Sequence, residues 1–329
     1  MLKKALLPLL LLAIALMFVI GCDEDNPTEP KKVNEFELVA DATDAYLSTY
    51  TTVSGAGVNV SITALFDLLT DGDTSNDPFI IDYRSADHYN SKHIKGAVNI
   101  ALADLITKVD DGTIPTSKKI VNVCYSGQTA SVATSMLNMF GFDAQNLLFG
   151  MCGVDTSIVN AKGWVNQIAA DERALVSEAS TTTATHDFPV LSTGKSSAAD
   201  IIKAQFAAKS VASTWAVSAN DVWDNPANYF VINYWPADEY VNPGHIPGAF
   251  QFTPKTSLLS TSTLNLLPTD KTVVVYCYTG QTSAQVVAAL KVLGYDAKSL
   301  TYGVNGFAYS SLSKSKYTVP TGDFSAILE

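Results

Sequence analysis

Basic charge is scarce in this chain. Lys and Arg number 21 against 32 Asp and Glu, and charged residues together make up only 16% of the sequence, for a net charge of −11. A surface of that sign repels phosphate backbones, and no basic stretch interleaved with aromatics offsets it, so nucleic acid is not an expected partner. The shortage of charge also excludes a largely disordered chain, because hydrophobic residues reach 47% and aromatic ones 10%, ample for packed interiors. Histidine is rare too: His88, His93, His186 and His245 are the four present. None stands at zinc spacing from a cysteine, so no metal and no cofactor is expected. With 329 residues, and roughly 100–200 residues per domain, two domains are allowed and a single core is not expected.

What is present begins with a leader. Lys3 and Lys4 precede an unbroken apolar run from Ala5 to Ile20, followed by Gly21 and Cys22. The run is short for a bilayer span and fits a signal-peptide core, so residues 1–21 are read as processed; an uncleaved anchor with an incidental cysteine is the alternative. Val19-Ile20-Gly21-Cys22 resembles a bacterial lipobox, which implies that Cys22 carries lipid and anchors an extracytoplasmic protein to a bacterial membrane. Losing Lys3 and Lys4 with the leader takes the net charge from −11 to −13. The acidic, proline-containing stretch over 22–35 reads as a solvated tether. Of the four cysteines, Cys124, Cys152 and Cys277 then remain. Three thiols cannot all be paired in one chain, so at least one is free for chemistry.

The two halves repeat with an offset of about 150 residues. Phe79-Ile80-Ile81-Asp82-Tyr83-Arg84 answers Phe230-Val231-Ile232-Asn233-Tyr234-Trp235. His93-Ile94-Lys95-Gly96-Ala97 answers His245-Ile246-Pro247-Gly248-Ala249. Cys124-Tyr125-Ser126-Gly127-Gln128-Thr129 answers Cys277-Tyr278-Thr279-Gly280-Gln281-Thr282. From each cysteine to the glycine of a later Gly-rich turn, Gly150 or Gly303, the separation is 26 residues in both halves. Such a long period implies duplicated domains, placed at 36–176 and 200–329, with 177–199, rich in Ser, Thr and Gly, as the linker.

Within each copy, β-branched runs alternate with helical patterns. Lys119–Cys124 and Lys271–Cys277 read as buried strands; Thr129–Phe140 and Thr282–Leu293 read as helices stopped by Gly141 and Gly294. Strand, tight loop and helix in succession indicate an α/β fold: in each copy a mostly parallel sheet with helices on both faces, and a functional crevice beyond the strand ends. Cys124 and Cys277 stand at those ends. A cysteine there, followed by a small-residue turn and a helix, faces backbone N–H groups and the positive end of a helix dipole. That setting is expected to lower the thiol pKa from ~8.5 toward neutrality and to cradle a thiolate or a persulfide. Gly127 and Gly280 permit the curled backbone.

With these residues in view, the chain resembles the rhodanese (thiosulfate sulfurtransferase) family, in duplicate. The resemblance rests on Asp82 with Arg84, on His93 to Ala97, and on the six-residue loop Cys124 to Thr129. Related cell-cycle phosphatases carry a loop one residue longer that closes in Arg; here Thr129 closes a shorter one, so sulfur transfer is favoured over phosphate hydrolysis. The resemblance implies Cys124 and Cys277 as nucleophiles that carry sulfur from a small sulfur-containing anion to a thiophilic acceptor. It implies the loops Tyr125, Ser126, Gly127, Gln128 and Thr129, and Tyr278, Thr279, Gly280, Gln281 and Thr282, as substrate-binding. It assigns Asp82, Arg84, His93 and His245 to structural support, and names no protein acceptor. Cys152, in the Gly-rich turn that lies near the active loop in the family, is a candidate resolving thiol; an ordinary buried cysteine is the alternative.

Two departures are visible. Neither loop contains Arg or Lys, so affinity for thiosulfate is expected to be modest, and a carrier or thiol-binding module without efficient turnover is the rival reading. The second copy has Asn233 and Trp235 where the first has Asp82 and Arg84. The P-loop-like ending Ser192–Ser196 lacks its first glycine and its leading strand, and is read as linker. The aspartates at 71, 73 and 77 are read as a solvated turn, since the glycine and closing Glu of a calcium loop are missing.

Overall fold

A computed structural model describes residues 34–155, 157, 163–168, 172–209 and 215–329. The leader expected over 1–21, the lipidation site Cys22 and the tether up to residue 33 lie outside the described residues. In chain order the first copy runs α1 (Glu35–Thr49), β1 (Asn59–Val60), α2 (Ile62–Thr70), β2 (Phe79–Asp82), α3 (Ala86–Ser91), β3 (Val98–Asn99), α4 (Leu105–Asp110), β4 (Ile120–Val123), α5 (Gln128–Met139) and β5 (Ala144–Leu147). The second runs α6 (Ala198–Lys209), β6 (Ala216–Val217), α7 (Ala219–Asp224), β7 (Tyr229–Asn233), α8 (Ala237–Val241), β8 (Phe250–Gln251), β9 (Thr272–Tyr276), α9 (Gln281–Val292) and β10 (Ala297–Leu300).

The sheets are five-stranded and have the same order, β1-β5-β4-β2-β3 and β6-β10-β9-β7-β8, with every pairing parallel. The central strands β4 and β9 are buried along almost their whole length, as their unbroken β-branched sequences require of strands covered on both faces. The helices that follow begin one residue earlier than the sequence pattern predicts. Gly127 (φ 83°) and Gly280 (φ 74°) adopt the left-handed conformation and turn the chain directly into Gln128 and Gln281. The predicted stops hold, with Gly141 (φ 85°) and Gly294 (φ 97°) just past the two helices.

Helices α5 and α9 pack against each other between the sheets. Ala130–Leu137 and Ser283–Val292 are buried throughout, and small residues bring the backbones close enough for the Ser135 hydroxyl to donate to the Gln285 carbonyl at 3.1 Å. Residues 34–329 form one compact unit. The copies also exchange tails. Val176, at the end of the first repeat, exchanges two backbone hydrogen bonds of 2.9 Å with His245 of the second. Glu329, at the end of the second, makes the same exchange with His93 of the first, at 2.9 and 3.0 Å. The stretch expected as linker is therefore docked: Phe188 stacks on Phe36 of α1 at 4.6 Å, and the amides of Thr193 and Gly194 donate to the Glu35 carboxylate at 2.8 Å. The aspartate-rich turn closes on itself, with the Asp73 amide and the Asn76 side chain donating to Asp71.

Candidate functional site

Each cysteine sits where its strand ends and its helix has yet to begin. Cys124 follows β4 and is 3% exposed; Cys277 follows β9 and is 3% exposed. The outward-facing carbonyls of the first loop are all engaged. Cys124 O accepts from the Met151 amide at 2.8 Å, Tyr125 O from the Cys152 amide at 3.0 Å, and Ser126 O from the Trp164 indole at 3.1 Å. With the carbonyls tied outward, the N–H groups turn inward. The Ala130 amide donates to Cys124 Sγ at 3.4 Å, and the amides of Ser126, Gly127 and Thr129 also act on the sulfur. The arrangement is a nest of main-chain donors that stabilises negative charge at one point.

The second loop repeats this construction with different parts. Cys277 O accepts from the Val304 amide at 3.1 Å, and Tyr278 O from the Asn305 amide at 3.0 Å. Asn305, which answers Cys152, adds a side-chain bond to Tyr278 O at 2.7 Å and ties the turn to Ser315 O at 2.9 Å and the Tyr317 amide at 2.8 Å. The Ser283 amide donates to Cys277 Sγ at 3.3 Å, and the thiol donates to the Ser283 hydroxyl at 3.5 Å. That hydroxyl is paired with Ser299 Oγ at 2.8 Å. The first copy has Ala130 at the position of Ser283, so Cys124 has no hydroxyl at that position.

One expectation about charge is overturned. Burial pushes the Cys124 thiol above its ordinary range, and the amides of Ala130, Ser126, Gly127 and Thr129 only partly offset it. Of the loop amides the sequence points to, those of Ser126, Gly127 and Thr129 act on the sulfur and the Ala130 amide joins them, but the depth of the sulfur is set by packing that a single chain segment does not reveal. An ion taken from water loses solvation that a few neutral dipoles do not fully return.

Asp82 and Arg84 lie beside the first loop. Arg84 Nε and Nη2 bond the Asp82 carboxylate at 3.0 and 2.7 Å, with both side chains 1% exposed, and Nη2 reaches Lys92 O at 2.5 Å. The guanidinium carbon lies 5.7 Å from the centre of the Tyr125 ring. In the second copy Trp235, at the position of Arg84, stacks on Tyr278 at 4.4 Å and 15°, and Lys314 Nζ lies 5.7 Å from the centre of the same ring. Asn233 donates to the Tyr276 hydroxyl at 2.8 Å. His93 stacks on Tyr89 and bonds its carbonyl at 2.8 Å; His245 stacks on Tyr240, bonds its carbonyl at 2.8 Å and meets Glu178 O at 3.0 Å. Both histidines bond a backbone carbonyl and stack on a tyrosine four or five residues earlier.

Cys152 is brought close to Cys124. A Cys124 thiolate adds to the burial that raises the Cys152 thiol, while the Trp164 amide and Arg84 act in the opposite sense. Phe149, Trp164, Tyr302 and Tyr317 enclose it in a box of rings 5.0–5.4 Å apart. Tyr302 belongs to the second copy, and burial, Cys152 and Cys124 all raise its phenol. A cavity of about 340 Å³ adjoins the second loop at Thr282 and is walled by Tyr50, Tyr234, Lys255 and Gln285. Burial and the charges of Tyr234, Tyr46 and Cys277 raise the Tyr50 phenol.

Several of these residues carry no local signal in the sequence. Trp164, Tyr50, Lys255 and Ser283 act through contacts that only the folded chain creates. Gln128 and Gln281 are visible as loop residues, yet their amide groups leave the sulfur and cross to the opposite copy, with Gln128 Oε1 accepting from the Tyr302 amide at 2.8 Å and Gln281 Oε1 from the Phe149 amide at 3.0 Å.

No curated protein matches the chain. Among solved structures it is similar to reduced CoADR-RHD from Bacillus anthracis, at 26% identity and TM-score 0.23, over 28% of this chain and 15% of that one. It is similar to a rhodanese-related protein from Thermoplasma volcanium at 24% identity and TM-score 0.27, over 29% of this chain and 92% of that one. Similarity to a thiosulfate sulfurtransferase from Pseudomonas aeruginosa, at 15% identity and TM-score 0.31, extends over 87% of this chain and 49% of that one. The rhodanese-like domain family matches residues 63–154 and again 218–310, together more than half of the sequence. With that double match, and two parallel sheets that each end in a cysteine loop, the chain belongs to the rhodanese-like domain family in tandem form.

Proposed function

We propose that the protein is a sulfurtransferase that moves sulfane sulfur from thiosulfate or a similar donor to a thiophilic acceptor through a cysteine persulfide. The observation that carries this reading is a strand-end sulfur met by main-chain amides, those of Ala130, Ser126, Gly127 and Thr129 at Cys124 and that of Ser283 at Cys277, with the Cys and Tyr carbonyls of each loop held by the Gly-rich turn. In the first half-reaction the thiolate of Cys124 or Cys277 attacks the outer sulfur of the donor. The Cys–S bond to that sulfur forms, the donor's S–S bond breaks, and its electron pair leaves on sulfite. The persulfide is then attacked at its outer sulfur by cyanide or another thiophile, which departs as thiocyanate or its analogue and returns the thiolate. The amide nest stabilises the anion in both steps at no reorganisation cost.

The rival reading, a sulfur carrier or thiol-binding module with little turnover, draws support from the raised Cys124 thiol and from loops without a cationic side chain. Thiocyanate production by the full chain from thiosulfate and cyanide separates the two, repeated with Cys124→Ser and Cys277→Ser. Loss of rate in one variant assigns the working copy. No thiocyanate, combined with a mass gain of one sulfur atom from polysulfide, supports the carrier; no sulfur gain at either cysteine refutes both the transferase and the sulfur carrier. The lipobox-like Val19–Cys22 further supports attachment to a bacterial membrane through lipid on Cys22, which mass analysis of the mature N-terminus tests.

A further inference from the structure

The repeat places one glutamine in each cysteine loop, and the fold sends both across the pseudo-dyad. Gln281 Oε1 accepts from the Phe149 amide and from Asn146 Nδ2, each at 3.0 Å. Gln128 Oε1 accepts from the Tyr302 amide at 2.8 Å, while its Nε2 donates to Ser126 Oγ at 2.9 Å. The donors fix the orientation of both amide groups, because a flipped group would set N–H against N–H.

What each glutamine grips is the turn beneath the other copy's cysteine. Phe149 leads into Gly150–Gly153, whose Met151 and Cys152 amides hold the Cys124 and Tyr125 carbonyls at 2.8 and 3.0 Å. Tyr302 leads into Gly303–Gly306, whose Val304 and Asn305 amides hold the Cys277 and Tyr278 carbonyls at 3.1 and 3.0 Å. Phe149 (φ 62°) and Tyr302 (φ 60°) both adopt the left-handed conformation, which an aromatic residue keeps only where its surroundings over-determine it. The loop glycines leave the slots through which the glutamines pass. A Cβ on Gly127 would overlap Gln281 Oε1, and one on Gly280 would lie 2.6 Å from Gln128 Oε1.

We propose that Gln128 and Gln281 are positioning residues, each completing the sulfur site of the opposite copy by holding the turn that ties its loop carbonyls outward. The proposal rests on the sulfur reading for the chemistry it positions, not for the geometry. Releasing the Tyr302 amide relaxes its turn, loosens the hold on Cys277 O and Tyr278 O, and lets the loop amides swing off the sulfur. The coupling runs both ways, so neither loop is set by its own copy alone.

The test uses the full chain with Cys124→Ser, which leaves Cys277 as the loop cysteine to be read. Sulfur uptake from polysulfide and the pH profile of iodoacetamide alkylation are followed at Cys277 by peptide mass analysis, with Gln128→Met, Gln128→Asn and Gln128→Glu added in turn. Met removes the acceptor and Asn withdraws it by one methylene, whereas Glu keeps an oxygen for Tyr302 and accepts from the Ser126 hydroxyl. Loss of one hydrogen bond of ordinary strength predicts that uptake falls roughly 5–10-fold with Met, less with Asn, and returns to within about 2-fold with Glu. Alkylation of Cys277 at a fixed near-neutral pH is expected to slow with Met. An unchanged rate and profile with both Met and Asn overturn the proposal, as does a loss that Glu fails to restore while thermal unfolding stays that of the parent. If Cys277 takes up no sulfur in the parent, the sulfur reading fails for that copy, and the alkylation profile alone decides the coupling.

Discussion

Replacing Gly150 by alanine tests whether the Gly-rich turn is a structural floor for the cysteine. Gly150 has φ 58°, and a non-glycine residue there costs about 1–2 kcal/mol. Its Cβ would also overlap Cys124 O and lie 2.7 Å from Tyr125 O and 2.8 Å from Gly127 N. These are backbone atoms of the loop itself and cannot rotate away, so overpacking adds about 1–3 kcal/mol. The combined cost is about 2–5 kcal/mol, relieved only by moving the loop off its turn. Gly141→Ala is the matched control: φ is 85°, but nothing lies within 4 Å of the added carbon, so only the conformational cost of about 1–2 kcal/mol applies. Urea unfolding measures the stability difference, and sulfur loading of Cys124 from polysulfide measures the site. Gly150→Ala is expected to lose more than tenfold in loading at Cys124, with Gly141→Ala close to wild type. Equal stability and equal loading in the two variants would refute the idea that close approach, rather than backbone angle alone, requires glycine there.

Arg84→Ala leaves the Asp82 carboxylate buried without its partner and is expected to cost about 3–5 kcal/mol in denaturant unfolding; a loss below about 1 kcal/mol would show that the pair is not a brace. Alkylation of Cys124, read by peptide mass, is expected to rise steadily from pH 6 through 9 without a plateau near neutrality, because burial holds the thiol above its ordinary range. Lys291 is 2% exposed, and burial lowers its pKa to about 8, below its unfolded value of ~10.4. The penalty is therefore complete below pH 8 and fades as pH rises toward 10.4. Lys291→Met should raise stability by about 2–3 kcal/mol at pH 7, less whatever the cation contributes over the Trp215 ring at 5.3 Å, and the gain should shrink above pH 8; a pH-independent difference between the two proteins would contradict the assignment.

The features legible in the sequence are those built from neighbours along the chain. Buried strands, the cysteine at the strand end, the left-handed glycine and the helix stop at Gly141 or Gly294 each need only a few residues, and the repeat doubles every signal. What escaped reading is carried by contacts between copies. Nothing in Gln128 announces that its partner is the amide of Tyr302, since any residue but proline offers an amide, and the choice is made by the packing of α5 on α9. The thiol of Cys124 departs from the sequence expectation for the same reason. Its donors are local, but its burial is supplied by elements far away in sequence. The tail exchange of Val176 with His245 and Glu329 with His93 is likewise framed by backbone bonds, which any residue but proline offers, although the Glu329 carboxylate also meets His93 Nε2 at 3.3 Å and the Gly96 amide at 3.0 Å.

Duplication explains why the two copies can differ without falling apart. The exchanged tails join main-chain groups that survive most substitutions, and the contacts of Gln128 with Tyr302 and of Gln281 with Phe149 need a particular side chain on one partner only. Side chains around each sulfur are then free to diverge. The first copy keeps a buried ion pair beside Tyr125 and places Cys152 near its sulfur. The second replaces the ion pair with the Trp235–Tyr278 stack, replaces Cys152 with Asn305, gives Cys277 a hydroxyl neighbour in Ser283, and has a cavity edged by Lys255 beside the loop residue Thr282. A hydroxyl can turn to donate to a thiolate, whereas the Ala130 side chain offers nothing. The two sulfurs thus stand in one backbone frame with different surroundings, and the chemistry of each copy is set by those few side chains rather than by the fold they share.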